Sequence, residues 1–526
     1  MKNRWLKALS IFMGICSLVG CTPAGVSSGN SVSLQENASS SVESVEEEFS
    51  FEEVYQGSEK KTLAPNESME ISIGADIQGN NYIKLELQTN VNLVGYIHYE
   101  KNTDASRSHK EKIFIEQGAN EFTTFLDAFR VGAQGVFKKK LTKITLQNVG
   151  ESAGLVAVSS VGVSDRKLDR TEELYIEDGH IKLGTSLAYG GSIRHLEKLN
   201  ASVVEYIDEN GDVRIEQGID AEMVDVVSEH VNLVNVYDLG REIQQSYYAF
   251  TTEENGYAPE DDVLYEGDLR YNPVQAGSAG DKESQIIDYK VTEKEIYVKV
   301  KPMDWFLRNT QADAYMENRY YFEADGVLRV FNRFVNFSQF TGMKDLPITA
   351  QETPAIYIVH PLNYYYCETM SGVIKDPNLS PMMTSQGKGG LFDGVESNYH
   401  YALENRTVTN EWFAFVNDKN FGIGIYMPNA KIYTASRGFS SISYNIGWNS
   451  APSPWWNGSL KGYVPSAYVS NYNYCCPVSH TRMVDFVPFE YEYAVYIGTV
   501  YDMQDVFGAM RESGAITNER VNAWDK

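Results

Sequence analysis

The chain has 526 residues, with 71 acidic side chains against 45 basic ones and a formal charge of −26. That balance argues against a general nucleic-acid binder, which needs a basic face, and 43% apolar residues are too many for a disordered chain. With 35 Tyr and 23 Phe but only 8 His and 5 Cys, the composition suits aromatic-rich β-structure rather than a zinc-rich or disulfide-framework protein.

At the N-terminus Lys2, Arg4 and Lys7 form a basic region, and Ala8 to Leu18 form an apolar run. The run is shorter than the roughly 20 residues of a membrane-spanning helix and reads as a signal peptide over 1–20. It ends in Leu18-Val19-Gly20-Cys21, which resembles the lipobox of bacterial lipoproteins. The resemblance implies cleavage before Cys21, acylation of its thiol, and an extracytoplasmic protein held to the cell membrane by lipid alone. Residues 21–53 are rich in Ser, Gly, Asn and Glu and read as an acidic tether, too polar to bury a core. No later run of about 18 apolar residues suggests another span.

From 54 to 165 the period is two. Ile83, Leu85 and Leu87 alternate with Lys84, Glu86 and Gln88, and Ile144 and Leu146 with Thr145 and Gln147. Short strands separated by turn residues predict a β-sandwich. The segments IFIEQGANEFTTFLDAF and KITLQNVG resemble jelly-roll carbohydrate-binding modules, which implies a glycan ligand; a purely structural sandwich is the alternative. RKLDR at 166–170 marks a boundary. Beyond it, Asp178-Gly179, Asn210-Gly211 and Asp325-Gly326 each separate two strand-like runs and predict hairpins. Near the end, Met503, Val506, Phe507 and Met510 repeat at helical spacing. The fold class is therefore all-β, a sandwich followed over 170–526 by a large double-sheet sandwich and a short C-terminal helix.

The segments SLAYGGSIRHL, NLVNVYDLGREIQQSYY, YNPVQAGS, QETPAIYIV and EWFAFVNDKNFGIGIYMPN resemble secreted bacterial proteins with a galactose-mutarotase-like supersandwich. That fold also serves glycoside hydrolases and the β-domains of polysaccharide lyases. The resemblance implies carbohydrate chemistry. The His pair and Glu of classical mutarotases have no matching positions here, so simple epimerisation is not implied.

The strand after Gly240 places Arg241, Ile243, Gln245 and Tyr247 on one side and Glu242, Gln244, Ser246 and Tyr248 on the other. Two polar faces need partners, supplied either by a solvated groove or by a buried network that fixes register. The groove reading makes Arg241, Gln244 and Gln245, with Asn272 and Gln275 of the next loop, partners of sugar hydroxyls. Trp412, Trp455 and Trp456 are candidate stacking surfaces for pyranose rings, with packing against their own domain as the alternative. Glu352, His360 and Glu411 are the acid/base candidates. Hydrolysis pairs two carboxylates about 5–9.5 Å apart, whereas β-elimination needs a base such as Tyr or His. Without a phosphate loop, an HExxH pair or a nucleophile elbow, neither cofactor nor metal is expected. The expected function is a lipid-anchored surface protein that binds and processes a polysaccharide or oligosaccharide, as hydrolase or lyase. The alternative is a non-catalytic lipoprotein that captures glycan for other enzymes. The partners are then a glycan and, through lipid only, the membrane, with no nucleic acid.

Overall fold

The structure is a computed structural model that describes most of residues 49–518. Residues 1–48, 102–107, 127–138, 217–231, 235–241, 250–256, 258–270, 377–405, 440–470 and 519–526, with shorter stretches between, lie outside the described residues.

The first nine strands are β1 (Glu52–Gln56), β2 (Lys60–Leu63), β3 (Ser68–Asp76), β4 (Tyr82–Thr89), β5 (Leu93–Lys101), β6 (Ser108–Ile115), β7 (Glu121–Phe125), β8 (Lys139–Asn148) and β9 (Gly154–Ser164). They form two antiparallel sheets, β1-β9-β4-β7 with β2 on β9, and β3-β8-β5-β6. The expected alternation is realised in β4, where Ile83, Leu85 and Leu87 are buried. Leu85, Ile97, Ile113, Ile144 and Val161 share one core between the sheets.

This core does not end at the sandwich. Ile287, Tyr315, Val335 and Phe337, all from later strands, belong to the same cluster. Phe114 stacks on Phe337 and Phe486 with ring centroids 5.6 and 5.7 Å apart. Lys112 reaches Asp313 at 2.9 Å, and Thr123 donates to Asp288 at 3.0 Å. Residues 46–526 accordingly form one compact unit.

Next come β10 (Glu173–Glu177), β11 (Ile181–Ser186) and β12 (Ile193–Lys198), a three-stranded sheet, and the hairpin of β13 (Val204–Ile207) and β14 (Val213–Glu216). The remaining strands are β15 (Gln244–Ser246), β16 (Pro273–Val274), β17 (Gly277–Ser278), β18 (Lys282–Glu283), β19 (Gln285–Val291), β20 (Glu295–Lys301), β21 (Met303–Asp304), β22 (Ala314–Ala324) and β23 (Val327–Asn336). They continue with β24 (Thr349–Val359), β25 (Tyr364–Thr369), β26 (Gly372–Asp376), β27 (Arg406–Val416), β28 (Phe421–Tyr426), β29 (Ile432–Phe439), β30 (Asn471–Thr481) and β31 (Phe489–Thr499). Most join one long sheet in the order β19-β20-β22-β23-β31-β28-β27-β29-β30-β24-β15-β16-β21. Its core runs from Ile296 and Val298 through Val330, Phe334, Tyr491 and Ile423 to Phe413 and Ile358. The hairpin signals hold where they are described: Gly179 and Gly326 take φ of 87° and 81°, a left-handed backbone that glycine adopts without strain.

The chain closes on helix α1 (Val500–Ser513). Thr499 caps its N-terminus in a reciprocal pair with Asp502, and Gly514 ends it at φ 64°. Met503, Phe507 and Met510 pack onto Trp412 and Tyr426. A side chain at Gly424 would sit 2.7 Å from the Met503 sulfur, so glycine permits that close approach.

Candidate functional site

The two faces of β15 have different fates. Gln245 and Tyr247 point into the main core and are fully buried. The Tyr247 ring lies 4.2 Å from Phe334, and its hydroxyl donates to Gln245 Oε1 at 2.8 Å. Gln245 Nε2 donates to Asn318 Oδ1 at 2.8 Å and to the Glu317 carbonyl at 3.0 Å. Gln275 Oε1 accepts from the Gln245 amide at 3.1 Å, while its Nε2 donates to the Gly190 carbonyl at 2.9 Å. Asn272 Nδ2 donates to the Tyr247 carbonyl at 2.8 Å, and Gln244 Oε1 accepts from the Ala276 amide at 2.9 Å.

Gln244, Gln245, Asn272 and Gln275 therefore do not line an open groove. They are buried and bonded into the backbone. Strands β15 to β18 are two or three residues long, so ladder bonds are few, and the side-chain amides satisfy main-chain groups that a longer sheet would pair.

The other face carries Glu242, Gln244, Ser246 and Tyr248. Ser246 pairs in register with Glu352 of β24, which in turn opposes Val478 of β30. The Tyr248 phenol lies within hydrogen-bonding reach of both Ser246 and Glu352. Burial first, and then the Glu352 charge, hold that phenol well above its ordinary ionisation range. Its backbone is clamped: Gln351 Oε1 accepts from the Tyr248 amide at 2.8 Å, and Gln351 Nε2 donates to the Tyr248 carbonyl at 2.9 Å. Asn272 Nδ2 also reaches Ser246 Oγ at 3.4 Å. Glu352 and Tyr248 keep partial exposure, whereas Gln351 behind them is fully buried.

At the other end of the face, Glu242 is fully buried and Arg194 lies 3.8 Å from it. The Arg194 guanidinium sits 3.4 Å over the Tyr189 ring. His195 Nε2 meets Glu197 Oε2 at 3.0 Å. Glu242 precedes Ser246 by four residues, about 13 Å along a strand.

Glu411 is not part of this cluster. Its strand β27 lies three places from β24 in the sheet order. Its φ is 62°, and its carbonyl accepts from the Met427 amide at 3.0 Å. It lies near Tyr426, whose phenol is pushed up to about 12 by burial and then by the Glu411 charge. Trp412 is not a sugar platform. It is buried, stacked on Tyr366 with centroids 5.5 Å apart, and covered by Phe507 of α1 at 5.7 Å. The helix occupies the indole face that a pyranose would need. Arg241, His360, Trp455, Trp456 and Cys21 lie outside the described residues. Tyr248 joins the candidates: its sequence signal is alternation on the polar strand, two residues beyond Ser246. The register that sets Glu352 opposite Ser246 has no such signal.

No protein-family model matches the chain, and no curated protein sequence matches it. Similar solved structures include the galactose mutarotase related enzyme from Lactobacillus acidophilus, 12% identical over 63% of this chain and 99% of that one, with a TM-score of 0.30. The GalM/aldose epimerase homologue from C. elegans is 10% identical over 62% of this chain and 99% of its own, with a TM-score of 0.28. The 4-alpha-glucanotransferase from Thermococcus litoralis is 12% identical over 64% of this chain, which spans 38% of it, with a TM-score of 0.27.

Proposed function

We propose that the protein is a glycan-directed enzyme that moves a proton on its sugar substrate between Glu352 and Tyr248. The observation that carries this reading is the Ser246–Glu352–Tyr248 cluster, clamped by Gln351. The two groups have complementary roles. The Tyr248 phenol stays protonated at neutral pH and can donate, whereas a carboxylate accepts. In a β-elimination, Glu352 takes the proton from the carbon beside a uronate carboxylate. The electron pair left behind forms the new double bond as the glycosidic carbon–oxygen bond breaks. The Tyr248 proton then goes to the departing oxygen. One carboxylate suffices for this, whereas hydrolysis uses two.

The decisive experiment is a panel of purified polysaccharides assayed for binding, new reducing ends and unsaturated-uronate absorbance. The lyase reading expects unsaturated products that vanish in Glu352→Gln while binding persists. Reducing ends without unsaturation would assign a hydrolase instead. Binding without products would select a capture lipoprotein, a reading favoured by the distance of Glu411 from the cluster and by the buried amides. We further propose display outside the cytoplasmic membrane through acylated Cys21. The Cys21→Ser chain should leave the membrane fraction, and unchanged retention would refute the anchor.

A further inference from the structure

The outer face of the β3-β8-β5-β6 sheet carries a row of basic side chains beside a half-buried aromatic ring. Across its four strands Ser72 pairs with Lys143, Lys143 with His98, and His98 with Lys110. Three basic groups thus lie side by side, about 4.8 Å apart from strand to strand. Like charges directly opposite each other destabilise a sheet. The neighbouring row runs Glu70, Thr145, Tyr96 and Lys112. Glu70 is the acid of these two rows, and it bonds Lys143 at 2.7 Å. Lys112 is turned to Asp313 at the junction with the larger sheet. The row beyond pairs Asp76 and Glu100 with Lys140, so the cations of this stretch are Lys143, shared with Glu70, and Lys110, with the His98 ring between them.

Beside this basic row stands an aromatic surface. Tyr96 is half-buried, 6.1 Å from the His98 ring, and Lys110 Nζ lies 4.6 Å over its centroid. His98 Nε2 meets Thr145 Oγ1 at 3.2 Å. Burial first, then Lys143 and Lys110, push His98 below its usual range, against a smaller opposing effect of Glu70. The face is held rigidly, because the same sheet is stacked through Phe114 onto Phe337 and Phe486. Two lysines thus flank an aromatic surface on a chain whose formal charge is −26.

We propose that this face binds an anionic sugar chain. One carboxylate, sulfate or phosphate group sits over His98 between Lys110 and Lys143, and the attached ring lies against Tyr96. The aromatic surface selects a sugar over a bare anion or a lipid headgroup. A bound anion relieves the repulsion within the row and favours protonation of His98.

The full-length chain tests this directly, with a polyuronate as probe, dextran as its neutral counterpart and anionic phospholipid vesicles as the lipid control. Polyuronate should bind more tightly than dextran and weaken as salt is raised. Lys110→Ala and Lys143→Ala should each weaken it about five- to tenfold. Tyr96→Phe should retain affinity and Tyr96→Ala should lose it. The His98 ring resonances should titrate at higher pH with polyuronate bound, and Glu352→Gln should leave all of this unchanged. The His98 resonances and the Lys110, Lys143 and Tyr96 variants separate this face from the Glu352 cluster, because Glu352→Gln keeps glycan binding at the cluster as well. Equal affinity for dextran, no effect of the two lysine variants, or a His98 titration unmoved by ligand would overturn the proposal. So would vesicle binding that depends on the lysines but not on Tyr96.

Discussion

The phenol of Tyr248 and the carboxylate of Glu352 belong to strands that Ser246 joins in register, and burial and charge together keep the phenol protonated. Tyr248→Phe keeps the ring and deletes only the proton. If Tyr248 is the donor, turnover on a cleaved glycan should fall by about 10²- to 10⁴-fold with KM nearly unchanged. Folding stability should change by only about 1 kcal/mol, because one hydrogen-bonded hydroxyl is lost. Turnover at the parental rate would remove Tyr248 from the chemistry.

The buried tyrosines predict an alkaline limit to stability. Tyr247, Tyr271, Tyr491 and Tyr493 are all buried, and burial is the first cause that pushes each phenol above its usual range. The native state therefore holds these protons to higher pH than the unfolded chain, which releases them near pH 10. Below that pH they leave stability independent of pH. Above it, each withdraws up to about 1.4 kcal/mol per pH unit, and four together withdraw about 5. Phenolate absorbance and loss of β-sheet circular dichroism should appear together in one steep step above pH 10. A gradual phenolate titration of these residues in an intact fold would contradict the packing described here.

What the sequence showed and what it withheld follow from the range of each interaction. Alternation in β4, the Asp-Gly turns and the helical spacing of Met503 and Phe507 are local, and each is legible in a window of about ten residues. The polarity of both faces of β15 was legible too. Their assignment was not, because it depends on Asn318 and Glu317 meeting Gln245 from β22. Trp412 looks like a stacking residue until α1, nearly ninety residues later, closes over it. The continuity of the sandwich core into Tyr315 and Phe337 is likewise a property of long-range packing.

That continuity makes Arg166 a testable pin. Its guanidinium donates to Asp288 Oδ1 at 2.8 Å and to the Tyr289 carbonyl at 2.6 Å. It also lies 4.4 to 5.1 Å from the ring centroids of Phe49, Tyr289, Tyr82 and Phe125. Arg166→Lys keeps the charge but not the planar fork and stack, and should lower stability by about 1–3 kcal/mol. Arg166→Ala leaves Asp288 without this partner and should lower it by about 3–5 kcal/mol. In urea the parent should unfold in one transition, because the sandwich core takes in Ile287, Tyr315, Val335 and Phe337 of the larger sheet. Both variants should shift that one transition. A separate early transition of the N-terminal sandwich in the parent would show that the modules are not coupled.

Glu411 offers a test that separates strain from catalysis. Its φ of 62° is a conformation that costs a residue with a side chain about 1 kcal/mol or more and costs glycine little. Strained residues often mark functional sites, which would argue for a role in chemistry. The surroundings argue otherwise: Glu411 precedes the buried Trp412, lies near Tyr426, and sits three strands from Glu352 in the sheet order. Glu411→Gly relieves the backbone and removes the carboxylate in one step. If the residue only shapes the strand that places Trp412 under α1, Glu411→Gly should match or exceed the parent in stability and keep full turnover. Glu411→Val, which is β-branched and intolerant of positive φ, should instead be destabilised by about 1–3 kcal/mol. Trp412→Ala should lose about 3–5 kcal/mol yet leave glycan affinity unchanged once folded. Loss of turnover in a stable Glu411→Gly chain would restore Glu411 to the catalytic group, because strain relief cannot produce that outcome.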